Sequence, residues 1–401
     1  MQNKKLITWI ISLVVLLGIT LVFSGTLKTT KKTSNVIKIY SSVPMSGMSS
    51  GKEVYNGAAM AFAETGYKVG DFTIEFIAKD DGDATGQWLP ELENKIATEA
   101  AADPDVMVYM GTYNSGAAKV SIPITNKAGI AQISVSNTWP GLTQPGFLEG
   151  EPGVFYPSGK RTFFRTCPTD AMQGPAEALW AKELGFKSVY VVDDSDAYGI
   201  GVASLFTKKA EEIGIKVFAH ESITSKDVAH IKKIVTKIKV ANPDLVYYGG
   251  MTVGGVVTLV KEMRANKITA KVMGADGIYE PVFVEQLGKD AENIYISSPG
   301  VPVKNMPEAG KEIAKKYRAK YGVDPDINAV TSYEAAQIVI TAIERAGVKD
   351  RNIILNEIAK TNYSGVFGPT SFDSNGDTTL PVLSGNVIKD GVFEFVKILP
   401  N

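Results

Sequence analysis

"VIKIYSSVPMSGMSSGKEVYNGAAMAFAETG", residues 36 to 66, decides the fold. Val36 to Val43 is rich enough in β-branched and apolar residues for a strand, and Lys52 to Gly66 repeats apolar side chains at helical spacing before a glycine stop. The turn between them carries Gly47 and Gly51. A strand feeding a helix through a short glycine-bearing turn is the first half of a βαβ unit, and repetition of that unit builds a parallel sheet.

The unit repeats. "FTIEFIAKDD" (72–81) reads as a strand before a helix over "ATGQWLPELENKIATEAA" (84–101); "VMVYMG" (106–111) precedes a helix over "SGAAKVSIPITNKAG" (115–129), and "AQISVS" (131–136) is a further strand. A second series starts near Phe163: helix "AMQGPAEALWAKELG", strand "SVYVVDDS", helix "AYGIGVASLFTKKAEEIG", strand "KVFAHESI", helix "AHIKKIVTKIKVAN", strand "LVYYGG", helix "GGVVTLVKEMRANK" and strand "KVMGAD". After "NIYISSPG" come helices over "EAGKEIAKKYRAKYG", "SYEAAQIVITAIERAG" and "NIILNEIAKTN", and the chain closes with a hairpin, "VLSGNVIKDGVFEFVKIL", turning at Asp390-Gly391. The expected class is α/β, with two doubly wound parallel-sheet lobes: residues 36–164 and 299–370 form the first, 165–298 and 371–401 the second. The late helices return to the first lobe before the tail crosses again, so several crossings make a hinge. "PGFLEGEPGVFYPSGKRT" (145–162) lacks periodicity and reads as a surface loop, a plain insertion rather than a cleft element.

Size agrees, since 401 residues exceed one compact core. Residues 1–35 stand apart: Lys4 and Lys5 precede 19 uncharged residues, Leu6 to Ser24, then a polar stretch with Lys28, Lys31 and Lys32. The run is a signal peptide or a membrane anchor, being close to the ~20 residues that span a bilayer. Either reading exports the protein. Without this leader 37 basic and 43 acidic residues remain, which is poor equipment for nucleic acid. Cys167 stands alone, so no intrachain disulfide forms, and His220 and His230 lie in a charged stretch where they read as solvated surface positions.

Three chemistries can be tested on the opening turn. Gly47-Met48-Ser49-Ser50-Gly51 fits G-x-S-x-G, but no histidine lies in a catalytic setting, and a nucleophilic serine needs a base. A phosphate loop needs four residues between its glycines and a hydroxyl after its lysine; here three separate them and Glu53 follows Lys52. No dinucleotide fingerprint follows any strand, so no enzyme and no cofactor is expected. What remains is a turn at the carboxyl end of a parallel strand, where open α/β sheets bind ligands. The matching turns carry Tyr113, Asn114 and Ser115 before a helix, Ser136 at the end of "AQISVS" with Asn137 and Thr138 after it, and in the second series Tyr198, Met251, Thr252 and Asp276. Ser115 at a helix N-terminus suits a carboxylate, and a shielded Asp276 suits an ammonium.

In this order "PMSG", "NGAAMA", "DDGD", "GIAQISVSNTWPGLT", "FFRT", "QGP", "DAYGIG", "DLVYYGG", "MGADG", "SYEAAQ" and "GPTSFDSNGD" resemble the branched-chain amino acid (Leu/Ile/Val) binding family of ABC-importer solute-binding proteins, over Val36 to Asn401. The resemblance implies the periplasmic binding protein type I fold: two Rossmann-like lobes, three crossovers and a ligand in the cleft between them. It implies that Ser115 and Thr138 hold the ligand's carboxylate and amino groups, that Asp276 takes the ammonium and that Tyr198 closes the cleft, with Ser136, Tyr113 and Met251 beside them. The first turn lacks the family's frequent aromatic residue, and Asn114 stands where some relatives have a cysteine. The implied protein is a monomer at the outer face of the membrane that gives a free, apolar amino acid to an ABC permease. Two other readings keep the fold: a ligand that is a small amide, urea or aromatic acid, and a membrane-tethered sensor.

Overall fold

The computed structural model describes residues 34–400, so the apolar leader at 6–24 lies outside the described residues. The first sheet runs β2-β3-β1-β4-β5-β6, with β1 Val36–Ser42, β2 Lys68–Val69, β3 Phe72–Lys79, β4 Val106–Gly111, β5 Ala131–Ser134 and β6 Phe163–Arg165. All neighbours are parallel except β2, which turns back on β3. In the second sheet the order is β15-β14-β11-β10-β9-β7-β8, comprising β7 Ser188–Asp193, β8 Lys216–Ser222, β9 Leu245–Gly249, β10 Lys271–Gly274 and β11 Tyr295–Pro299. The antiparallel pair β14 Leu383–Lys389 and β15 Val392–Ile398 completes its edge, turning at Asp390-Gly391.

Strand order reverses between β1 and β4 in one sheet and between β7 and β9 in the other. Such switch points open a crevice at the strands' carboxyl ends. The helices that cover the first sheet early are α1 Ser49–Glu64, α2 Pro90–Ala102 and α3 Ser115–Lys127; those of the second are α4 Asp170–Glu183, α5 Ala197–Glu212, α6 Val228–Ala241, α7 Val256–Ala265 and a short α8 Pro281–Leu287. Then come α9 Glu308–Tyr321, α10 Ile327–Ala346 and α11 Arg351–Ala359. Helix α10 packs on α1: Ser332 Oγ donates to the Val54 carbonyl at 2.6 Å. Gly57 permits that approach, because a Cβ there would meet the Ala329 carbonyl oxygen at 2.0 Å.

Three local expectations are corrected. The helix expected from Ala84 begins at Pro90, because proline suits the first helical position and holds Leu89 extended; residues 84–89 form a turn around Asp83. Phe163 opens the last strand of the first sheet rather than the second series, pairing with Gln132 of β5. The 145–162 loop is a packed cover, its Phe155 and Tyr156 buried in one cluster with Ala118, Ile122 and Leu142. "FGPTSFDSNGD" contributes half of a small hairpin, β12 Tyr363–Gly365 with β13 Gly368–Thr370.

Candidate functional site

Two turns of the first lobe are knitted together at the cleft. Asn137 Nδ2 and Ser136 Oγ each donate to the Tyr113 carbonyl at 3.0 Å, while Ser115 Oγ accepts the Trp139 amide at 3.2 Å. This lattice fixes Ser115 as the first residue of α3, whose free amides and dipole form a positive pole. Across from it, the turns after β7, β9 and β10 bring Tyr198, Met251 and Asp276 to the same space. The space between these turns, counted together with its open mouth, amounts to about 510 Å³. Six of the seven residues expected from sequence line it together: Tyr113, Ser115, Ser136, Tyr198, Met251 and Asp276.

Thr138 is the exception. It is buried just behind the wall, and its hydroxyl leans on the Asp170 carboxyl without reaching hydrogen-bond geometry. Burial pushes the Asp170 carboxyl well above the usual range, and the Thr138 contact opposes that. The sequence reading missed Asp170, although its place at the start of a helix in a crossing segment was visible.

Asp276 sets the electrostatics. Its Oδ1 accepts the Tyr198 hydroxyl at 2.6 Å and Gln173 Nε2 at 2.7 Å. Burial raises its pKa, and those two hydrogen bonds lower it. No lysine or arginine lines the cavity, so the carboxylate lacks a countercharge. An unpaired buried charge is costly, and an incoming cation relieves the cost. The cavity is therefore polarised: helix amides and hydroxyls at one end, an acid at the other.

The lobes touch directly around it. Trp88 Nε1 of the first lobe donates to Asp196 Oδ2 of the second at 2.8 Å, Ser50 Oγ donates to Glu280 Oε1 at 3.0 Å, and Lys226 Nζ reaches Gln87 Oε1 at 3.3 Å. These three hydrogen bonds bridge the two lobes. The opening turn of the sequence thus contributes Ser50 to the clasp, while Ser46 Oγ caps Asp80 at 2.6 Å. Neither Trp88 nor Asp196 was singled out from sequence. The histidines also depart from expectation: His220 is half-buried with Nε2 2.7 Å from Asp193 Oδ2, and His230 Nε2 is buried. Among the described residues no helix is long and apolar enough to cross a membrane.

Two parallel-sheet lobes that close strand-end turns onto one polarised cavity define a bilobal solute-binding protein. The periplasmic binding protein family matches residues 36–391, and the chain belongs to that family. The Leu/Ile/Val-binding protein homolog 1 of Brucella melitensis is 28% identical over 347 residues, covering 84% of this chain and 86% of that protein. An amino acid binding protein of Pseudomonas aeruginosa is 25% identical over 333 residues, covering 82% of this chain and 83% of its own. Among solved structures, a leucine binding protein of Thermotoga maritima superposes with a TM-score of 0.79 at 25% identity, over 90% of this chain and 98% of that one. A branched-chain amino acid transporter substrate-binding protein of Streptococcus pneumoniae, solved with isoleucine, gives 0.76 at 24% identity over 91% and 99%. The family and fold are those of the periplasmic binding protein type I class.

Proposed function

We propose that this chain is the exported substrate-binding component of an ABC importer and captures a free α-amino acid between its lobes. The observation that carries the reading is Asp276: a half-buried acid facing the cavity, with no basic neighbour on its walls, opposite the N-terminus of α3 with Ser115 and Ser136. Those two poles match the ends of a zwitterion. Val135, Met251, Pro299 and Ile327 form the remaining apolar wall, which suits an apolar side chain. Relatives named for leucine, isoleucine and valine, and structural neighbours from ABC transporters, support the same role and a permease as partner. In mechanism, contacts from both lobes stabilise the closed state over the open one, so ligand shifts a hinge equilibrium.

Titration calorimetry of the described domain with a panel of amino acids tests this. At least one apolar α-amino acid binds, and Asp276→Asn weakens it by about 30-fold or more, the usual scale for losing one partner of a desolvated charge pair. Binding of an amide, urea or carboxylic acid with no response to any amino acid would overturn the substrate class.

A further inference from the structure

Behind Asp276 lies a second acid. Glu177 sits on α4 one turn beyond Gln173 and is fully buried. Its Oε1 accepts the Ser297 hydroxyl and its Oε2 the Tyr247 hydroxyl. Gln173 Nε2 lies 2.7 Å from Asp276 Oδ1, 2.8 Å from Ser297 Oγ and 3.5 Å from Glu177 Oε1.

The direction of donation in this network is forced. An amide nitrogen has two protons and no acceptor site. Gln173 therefore donates to Asp276 and to Ser297, and Ser297 passes its own proton on to Glu177. Both Glu177 oxygens then accept, which holds only for the ionised carboxylate. A protonated Glu177 must donate to Ser297 or Tyr247, leaving that hydroxyl's own proton without its acceptor, a cost that the burial of an uncompensated charge outweighs until a cation arrives.

We propose that Glu177 is a positioning residue for the ligand's amine: through Ser297 and Gln173 it aims Asp276 at the cleft, and its own charge makes the ammonium pole doubly negative, so that capture releases a proton. The proposal rests on the amino-acid reading above. Burial pushes the Glu177 carboxyl up to about 8, the Ser297 and Tyr247 hydroxyls pull it down and the charge of Asp276 pushes it up again. The groups that face it are Gln173 and the charge of Asp170 from its own helix, Tyr247 of β9, Asp276 beyond β10 and Ser297 of β11. None is a base. An ammonium arriving at Asp276 supplies the positive charge that tips Glu177 to its ionised form.

The experiment is calorimetry of the wild-type domain and Glu177→Gln, using the amino acid that binds most tightly, between pH 6 and 8 and in two buffers of different ionisation enthalpy. Wild type is expected to release up to one proton per ligand near pH 7, its Kd rising by as much as about tenfold per unit as pH falls below ~8. Glu177→Gln binds about tenfold more weakly at pH 8 with a shallower slope, and the gap narrows toward pH 6. A matching carboxylic acid without the amine binds both proteins alike, which a merely structural role would not produce. Unchanged affinity and slope in Glu177→Gln overturn the proposal and leave the amino-acid reading standing. If no amino acid binds wild type, both fall. Should the variant not fold, the wild-type proton count alone decides: no proton release between the two buffers overturns the proposal.

Discussion

Arg165 is fully buried with its charge, and every contact it makes shapes the site. Its Nε donates to Asp377 Oδ1 at 2.7 Å, its Nη1 to the carbonyls of Asn137 and Trp139 at 2.8 Å each, and its Nη2 to the Thr143 hydroxyl. One guanidinium thereby pins the Asn137 to Thr143 turn, on which Thr138 rides, to the returning C-terminal segment. Breaking one side of a buried pair strands the other charge, at a cost of about 3–5 kcal/mol. Asp377→Asn is thus expected to lower the melting temperature by roughly 5 °C or more. It should also weaken ligand binding by misplacing the turn. Thermal melts and titration of the purified variant check both, and a wild-type melting point would refute the role given to Arg165. Sequence showed "FFRT" and "SNGD" as separate pieces, yet nothing in their spacing says that residues 165 and 377 meet. Strand-end serines and Asp276 were legible because turn position alone puts them at the crevice. Gln173, Glu177 and Asp170 were not, because they lie on a helix, where a polar residue reads as surface until the packing is known.

Two helices meet across the cleft at the scale of elements. The first turns of α3 and α5 face each other, and Gly201 of α5 lies under the ring of Trp139 from the first lobe. A Cβ on Gly201 would stand 2.5 Å from Trp139 Cε3 and Cζ3. The ring has little room to give: its Nε1 donates to Glu151 at 2.8 Å, Phe147 meets it edge-on at 5.4 Å and Lys119 Nζ lies 4.8 Å from its centroid. Gly201→Ala therefore obstructs the closed state, whereas in an open state helix propensity favours alanine by up to about 1 kcal/mol. The expected outcome has opposite signs: unchanged or higher thermal stability without ligand, and at least about tenfold weaker binding. Equal affinity for variant and wild type would show that this contact does not gate closure. At this scale the sequence was most readable where periodicity runs long, as in the β-branched strands, the amphipathic α6 and α7, and the Asp390-Gly391 hairpin. It was least readable where elements are short: three residues of β6, the seven of α8 and the small hairpin of β12 and β13 hold too few side chains for a period to show.

The whole molecule adds up buried acids. Alternating strands and helices revealed two lobes, but the clasp between them joins residues as distant as Ser50 and Glu280, 230 positions apart, and such pairings leave no local trace. Closure and burial together leave acids on both sides of the cleft in a low-dielectric setting: burial raises Glu177 to about 8, Asp194 to about 7 and Glu334 to about 7, in each case against the hydrogen bonds they accept. A carboxyl whose folded pKa lies above its unfolded value near 4 takes up a proton on folding. Its contribution to stability is complete below pH ~4 and is lost as pH climbs through the folded pKa. Asp80, Asp103 and Asp244 have lowered pKa values and act in the opposite sense, but only below the ordinary carboxylate range. From pH 5 to pH 8 the raised acids dominate, so the ligand-free protein is expected to melt at progressively lower temperature. An amine ligand reverses part of that loss, because its ammonium compensates the charge that Asp276 and Glu177 carry at higher pH. The melting-point increase on saturation with amino acid should then grow from pH 5 to pH 8, while the ligand-free melting point falls. Thermal melts at four pH values with and without ligand read both trends at once. A ligand-free melting point that rises across this window would contradict the raised buried acids, and a ligand shift independent of pH would contradict their link to the amine.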